Sequence, residues 1–334
     1  MRNPLRIGVT GLGLIGALHA RILFEAPNAQ LMAVADINAN TARSIADRYG
    51  CTPYTDFKEM CDKEQLDAVS ICTPDEFHLG DSIYAAHKGL HILLEKPIAL
   101  NGEEAQRVVA AANANSVRLM VAHILHFDPR YAQIREAVEQ NRFGEIIHMY
   151  FRRTNPRANG RRLGGKVSIF RFIGVHDFEM MCAYMRANPT RAYSQRVSKI
   201  NADIGCEDTT ISVINFDNGA VGVVELCWAL PQNSALGINT YAAVIGRDAA
   251  GYVDINHQGV SLVTEDEVLY PDILHWPEYN GRIQGDLKEE IAHFVTATLD
   301  DTPYITKTEN AVQAVRIIDA CFKSIETGLP VDIK

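Results

Sequence analysis

No two of the seven cysteines form a CxxC pair, and acidic side chains outnumber basic ones, 41 to 32. No apolar run nears the ~18 residues that a membrane helix needs. Each shortage closes off a class. Cys51, Cys61, Cys72, Cys182, Cys206, Cys227 and Cys321 are scattered, several inside apolar runs such as Val69-Ser70-Ile71-Cys72. They read as reduced core residues, not as a disulfide framework or a thiolate zinc site. A net charge of −9 offers no general basic face for nucleic acid or an anionic membrane. The chain enters a strand within its first few residues, which leaves no room for a signal peptide, so a cytoplasmic location is expected. With 334 residues, 47% of them hydrophobic and 22% charged, there is material for two ordinary domains and no sign of disorder.

What is present begins with Leu5 to Thr10, an alternating branched run expected as a buried parallel strand, which passes directly into Gly11-Leu12-Gly13-Leu14-Ile15-Gly16. Gly11 permits a tight turn, and Gly13 lets the backbone approach a pyrophosphate. Gly16 lets the following helix pack on the sheet, with its free N–H groups facing the phosphates. A second apolar run, Gln30 to Asp36, puts a carboxylate at a strand tip, where it accepts hydrogen bonds from the adenosine ribose and repels a 2′-phosphate. A glycine triplet alone also occurs where a helix merely packs on a strand. Strand, helix and acid agree here, and a bound dinucleotide is expected. Asp36 favours NAD, while Arg43, about one helical turn on, leaves NADP open.

Strand-like and helix-like runs then alternate to about residue 123: Thr52 to Phe57, Ala68 to Thr73, His91 to Glu95 and Arg118 to His123, separated by helical Ala39 to Tyr49, Leu79 to Lys88 and Gly102 to Asn113. This is the rhythm of a doubly wound parallel sheet. From residue 145 long strands dominate: Glu145 to Arg153, Arg191 to Ser198, Thr209 to Phe216, Ala220 to Leu230, Thr240 to Ile245 and Gly259 to Leu269. Phe216-Asp217-Asn218-Gly219-Ala220 supplies hairpin turn chemistry. A helix over Val175 to Arg186 is expected against this antiparallel sheet, and Gly285 to Leu299 and Thr308 to Thr327 read as closing helices.

His91-Ile92-Leu93-Leu94-Glu95-Lys96-Pro97 sets a lysine at the carboxyl end of a buried strand, on the sheet edge where such folds bind ligands. Local chemistry alone fits an exposed lysine before a turn proline equally well; a cis peptide at Pro97 is one option there. Gly11 to Gly16, Asp36, Thr73-Pro74 with His78, Glu95-Lys96-Pro97 and Gly174-Val175-His176-Asp177 stand in an order that resembles the Gfo/Idh/MocA sugar and polyol dehydrogenases over nearly the whole chain. The Glu-Lys-Pro motif is the most specific part. The resemblance implies an α/β Rossmann domain, residues 1–124, and a substrate-binding and oligomerisation domain, residues 125–334, with an open, mostly antiparallel sheet and closing helices that return toward the first domain. It implies NAD held by Gly11, Gly13, Leu14, Ile15, Gly16, Asp36, Thr73, Pro74, His78, Glu95 and Lys96. It also implies a homodimer or homotetramer, since the second sheet has a face to cover.

Hydride transfer from an alcohol needs a base and a positive group for the developing alkoxide. The resemblance implies Lys96 as the cation and His176 as the base, with a deprotonated Lys96 as the alternative base. A histidine on an amphipathic helix is otherwise more often structural. Relatives often carry acids on either side of the histidine; here Phe172 occupies the first acidic position, Glu179 the last, and Asp177 follows His176 directly. If both are helical, Asp177 points about 100° away from His176.

His123 and His126 suit a metal by type, yet no further ligands cluster in sequence and the reaction needs none. By the resemblance they lie at the substrate rim, with Phe172 and Asp177 of the His176 motif as further substrate contacts; linker packing is the alternative for the two histidines. Arg152, Arg153, Arg157, Arg161, Arg162, Lys166 and Arg171 stand without an acid between residues 152 and 171. Glycines at 160, 164 and 165 suggest a loop, and with Arg153 and Asn155 it forms either a pocket for an anionic sugar or a solvated face. Trp228, Trp276 and Tyr279 suit stacking on a sugar or simple core packing. The function expected is NAD-dependent hydride transfer with a secondary hydroxyl of a sugar or cyclic polyol. Two rivals are a glycoside-cleaving enzyme that oxidises its sugar transiently and a cofactor- or sugar-sensing binding protein.

Overall fold

The computed structural model describes residues 3–163, 165–232, 234, 237–255, 259–266 and 268–334; Gly164 of the expected loop and Glu267 of the expected last long strand lie outside the described residues. The chain divides into two compact units, one of residues 1–127 with 274–312, the other of residues 128–273 with 313–334.

The first unit alternates β1 (Leu5–Thr10), α1 (Leu14–Glu25), β2 (Ala29–Ala35), α2 (Ala39–Tyr49), β3 (Thr52–Tyr54), α3 (Phe57–Lys63), β4 (Ala68–Ile71), α4 (His78–His87), β5 (His91–Glu95), α5 (Gly102–Ala114) and β6 (Leu119–Ala122). The six strands are parallel in the order β3-β2-β1-β4-β5-β6, so β1 is central and its crevice opens at the switch point between β1 and β4. Ile7, Gly8, Val9 and Thr10 of β1 are buried in succession, as a strand covered on both faces requires. Helix starts are capped where the sequence offers it: Asn38 accepts from the Asn40 and Thr41 N–H groups, Asp56 from Glu59 and Asn101 from Glu104.

The second unit carries α6 (Pro129–Glu139), β7 (Ile146–Pro156), α7 (Arg157–Leu163), α8 (Val175–Met185), β8 (Pro189–Val197), β9 (Thr209–Phe216), β10 (Val221–Leu230), β11 (Asn239–Gly246) and β12 (Ala250–Asp254). Its sheet runs β12-β11-β7-β10-β9-β8 and ends in a short strand, Val331–Asp332; β7 and β10 are parallel and every other pairing is antiparallel. The β9–β10 hairpin closes through Gly219, whose φ of +85 only glycine adopts readily. α8 packs on β7 and β10, which accounts for its burial on nearly all sides.

Three expectations change. Residues 274–312, with α9 (Asp286–Asp300), belong to the first unit: Ile283, Leu287, Ile291, Phe294 and Val295 join Leu5, Ile7, Ile22 and Leu23 in one core, because α9 presents a continuous apolar stripe that needs cover. Arg157–Leu163 is a helix, not a loop. Within Gly259 to Leu269 the described residues hold only a two-residue ribbon, Leu262–Val263 with Val268–Leu269, both strands exposed. α10 covers Thr308–Thr327. No helix among the described residues is long and apolar enough to cross a membrane.

Candidate active site

In the first unit the carboxyl ends of β1, β2, β4 and β5 share one sheet edge, and the motif residues leave from them. Gly11, at φ +79, turns the chain so that a Cβ there would sit 2.6 Å from the Cys72 carbonyl and the Thr73 nitrogen. A Cβ on Gly16 would lie 1.8 Å from the Gly11 oxygen, so both positions demand glycine. At Gly13 the direction of a missing Cβ is open for 4 Å around. The first turn of α1 carries no acidic side chain and no side-chain cap, which leaves its N–H groups for an anion. Open space at Gly13 over uncapped N–H groups fits a pyrophosphate. Asp36 ties the crevice together: its Oδ2 accepts from the Leu12 N–H at 2.8 Å and its Oδ1 from the Asn38 N–H at 2.8 Å. Leu14 is 67% exposed at the mouth of this turn.

Under the turn lies a polar cluster that reading the sequence did not find. His19, fully buried on α1, places Nδ1 2.8 Å from Ser70 Oγ and Nε2 3.4 Å from Glu95 Oε1. Glu95 Oε2 in turn accepts from the Lys96 N–H at 3.2 Å. Burial opposes charge on His19, but Cys72 and Glu95 outweigh it and hold its pKa well above the ordinary value. Burial likewise raises the Glu95 carboxyl, and His19 and Lys96 pull it below its usual value. Glu290, from α9, is 1% exposed; burial and then the charge of Glu95 keep its carboxyl protonated far above the usual range. A histidine three residues past the last glycine was visible in sequence, but Glu290 is distant in the chain and carried no signal.

The Lys96–Pro97 peptide is cis. His78, expected as a cofactor contact, faces main-chain oxygens. Its ring is 1% exposed, with Nδ1 2.7 Å from the Pro97 oxygen and Nε2 2.8 Å from the Thr73 oxygen, so both polar atoms are spent on the main chain. Thr73 donates its hydroxyl to Asp81 at 3.0 Å. His123 and His126 are each 2% exposed, inside the first unit and not on an open rim. Among the described residues no group of three or more His, Cys, Asp or Glu side chains is placed to hold a metal ion.

In the second unit a π-helical turn, Phe170–Gly174, leads into α8. His176 is half-buried there, while its neighbours Val175, Asp177, Phe178 and Glu179 are buried. Asp177 and Arg153 form a bidentate pair, Nε to Oδ2 at 2.8 Å and Nη2 to Oδ1 at 2.9 Å. Burial works against the Arg153 charge, and Asp177 more than offsets it, raising the guanidinium pKa above its usual value. Arg153, Asp177 and Asn155, expected among the substrate contacts, are 5%, 1% and 2% exposed. Phe172 is half-buried beside Trp228, ring centroids 6.3 Å apart, and Trp228 is fully buried with its Nε1 donating to the Glu207 carbonyl, a core residue. Three members of the cationic run have separate partners: Arg152 lies over Tyr241, Arg161 pairs with Asp203 at 3.0 Å and Arg171 covers Phe322. Lys96 belongs to the first unit and His176 to the second.

A parallel sheet of this strand order, with a glycine turn, a carboxylate at the β2 tip and a lysine at the β5 tip, defines a dinucleotide-dependent oxidoreductase. The chain belongs to the Gfo/Idh/MocA oxidoreductase family: residues 5–123 match its NAD-binding Rossmann fold and residues 135–333 its C-terminal alpha/beta domain. NAD is its cofactor. It is 27% identical over 344 residues to an uncharacterized oxidoreductase, YrbE, of Bacillus subtilis, covering all of this chain and 98% of that one. It is 26% identical over 342 residues to scyllo-inositol 2-dehydrogenase (NAD(+)) of the same organism, covering all of this chain and 97% of the relative. The crystal structure of myo-inositol 2-dehydrogenase from Lactobacillus plantarum shares the fold, with a TM-score of 0.85 at 23% identity over 99% of this chain and all of that one.

Proposed function

We propose that this oxidoreductase oxidises a secondary hydroxyl of a cyclic polyol of the inositol type, or reduces the matching ketone. The observation that carries this is Lys96, set at the tip of β5 on the same sheet edge as the glycine turn and Asp36. The full-length relatives named for inositol oxidation support the substrate class. The N–H groups at the start of α1 would bind the pyrophosphate and Asp36 the adenosine ribose. NAD supplies the hydride acceptor when bound. The Lys96 ammonium holds the hydroxyl oxygen and stabilises it as its proton leaves, and His176 takes that proton. Glu95, fixed by His19, steadies the Lys96 main chain.

NADH formation by purified protein, followed by absorbance against a panel of inositols, aldoses, sugar acids and glycosides, tests the reading. Turnover of an inositol supports it. Glycoside cleavage without net NADH, or silence across the panel while NAD still binds, overturns it.

We also propose that a second copy of the chain covers the outer face of the second sheet. Tyr252, Ala243, Tyr150, Val223, Val213 and Tyr193 stand side by side across six strands on that face, with Tyr252 63% exposed. Such an apolar row favours cover. A reducing compartment is proposed on the seven cysteines, all free thiols.

A further inference from the structure

β4 and β5 are neighbours, and the chain leaving each carries one carbonyl toward the same buried ring. Thr73 O lies 2.8 Å from His78 Nε2, and Pro97 O lies 2.7 Å from His78 Nδ1. Carbonyl oxygens only accept hydrogen bonds, and a neutral imidazole has a single N–H. With one proton, the second nitrogen would press its lone pair against a carbonyl at hydrogen-bond distance, and at 1% exposure no solvent relieves that. A carboxyl stands nearby, its pKa raised by burial against the pull of the Thr73 hydroxyl and then of His78. Asp81, one turn further along α4 and half-buried, accepts from the Thr73 hydroxyl at 3.0 Å and faces His78, Lys58 and Asp56.

We propose that His78 is a positioning residue that carries a proton on both ring nitrogens and straps the Thr73 and Pro97 carbonyls together, fixing Lys96 against the end of β4. The strap crosses from the strand end beside the glycine turn to the strand end that bears the reacting lysine. A loose strap leaves both binding segments folded and lets Lys96 drift. Its kinetic consequence rests on the reading of Lys96 given above; its protonation does not.

Two measurements test it on the whole protein. Neutron diffraction from unmodified crystals at neutral pH locates the exchangeable hydrogens directly. Density on both Nδ1 and Nε2 of His78 is expected, and density on one alone overturns the proposal. In solution, His78→Gln offers one side-chain nitrogen, which cannot span two carbonyls on opposite sides. Its kcat is expected to fall roughly a hundredfold, the scale of an ångström misplacement, while NAD affinity by fluorescence titration stays within about threefold, since the glycine turn and Asp36 are untouched. Unchanged kcat in a folded variant overturns the positioning role. If His78→Gln does not fold, the neutron result on the unmodified protein still decides the protonation. If Lys96→Ala keeps full turnover, the Lys96 reading fails by itself, leaving the doubly protonated strap standing or falling on its own density.

Discussion

Arg153 and Asp177 hold each other through two parallel hydrogen bonds of 2.8 and 2.9 Å, with side chains 6% and 1% exposed. The acid beside His176 in sequence is thereby committed to β7, fixing α8 on the sheet instead of assisting the histidine. Removing one partner strands a buried charge, which costs about 3–5 kcal/mol. Arg153→Leu is therefore expected to lower the urea midpoint sharply, and the double variant Arg153→Leu with Asp177→Leu to recover most of the loss. Equal stabilities for the single variant and the parent would show that the charge is not trapped.

This pair also marks where the sequence stopped being legible. The glycine turn, Asp36 and Glu95-Lys96-Pro97 could be read because each lies within one strand-turn unit, where local chemistry and position coincide. Asp177 and Arg153 stand 24 residues apart, and nothing local says that α8 lays one against the other. His78 followed a recognisable motif, yet its partners are main-chain oxygens, which have no sequence signature. α7 was hidden by Gly160, which lies against Trp228, where a Cβ would come within 3.2 Å of the indole, so the glycine there serves close packing and not a turn. β12 was missed because only Val253 of its five residues is buried, leaving no alternation to detect at a sheet edge.

Glu290 makes stability depend on pH in a stated direction. It faces Glu95, His19, Asp286 and Lys96, and burial followed by the Glu95 charge holds its folded pKa well above the ordinary value. The unfolded chain gives up this proton near pH ~4.3 while the folded one keeps it. The Glu290 contribution is thus fully present below that pH and is lost as pH rises toward the folded value, by up to about 1.4 kcal/mol per pH unit. Glu290→Gln imitates the neutral acid without a titrating proton. Its stability relative to the parent, from urea melts, is expected to climb between acid and neutral pH; a constant difference would mean that Glu290 is ionised.

Lys96 separates chemistry from binding. Lys96→Ala removes the cation at the tip of β5 but leaves the α1 N–H groups and Asp36 in place. A fall in kcat of about a thousandfold, the scale of losing one charged stabiliser of the reacting oxygen, is expected with NAD binding preserved in calorimetry. Near-normal turnover would remove Lys96 from the mechanism.

His176 is tested by rescue. His176→Asn keeps a polar group at the Nδ1 position and deletes the base, so kcat is expected to drop roughly 10²- to 10⁴-fold. Alkaline buffer should restore part of it, because hydroxide then takes the proton that the imidazole took. A drop with no recovery as pH rises would point to a structural role in α8.

The proposed role of Asp36 is to choose between the two dinucleotides, and two variants divide it from the structural one. Its carboxylate accepts from the Leu12 N–H and the Asn38 N–H, each at 2.8 Å, so it shapes the glycine turn in addition to its proposed contact with the ribose. Asp36→Ala gives up a charged acceptor, an effect of about 1.5–3 kcal/mol or some ten- to hundredfold in the KM for NAD. It also ends the repulsion of a 2′-phosphate without adding any attraction. Ile37, 96% exposed, can become arginine at no cost to the core. Adding Ile37→Arg to Asp36→Ala should therefore raise kcat/KM for NADP above that of Asp36→Ala alone, with NAD unaffected by the second change. If Asp36→Ala still discriminates against NADP as strongly as the parent, the shape of the crevice and not the carboxylate charge excludes the phosphate.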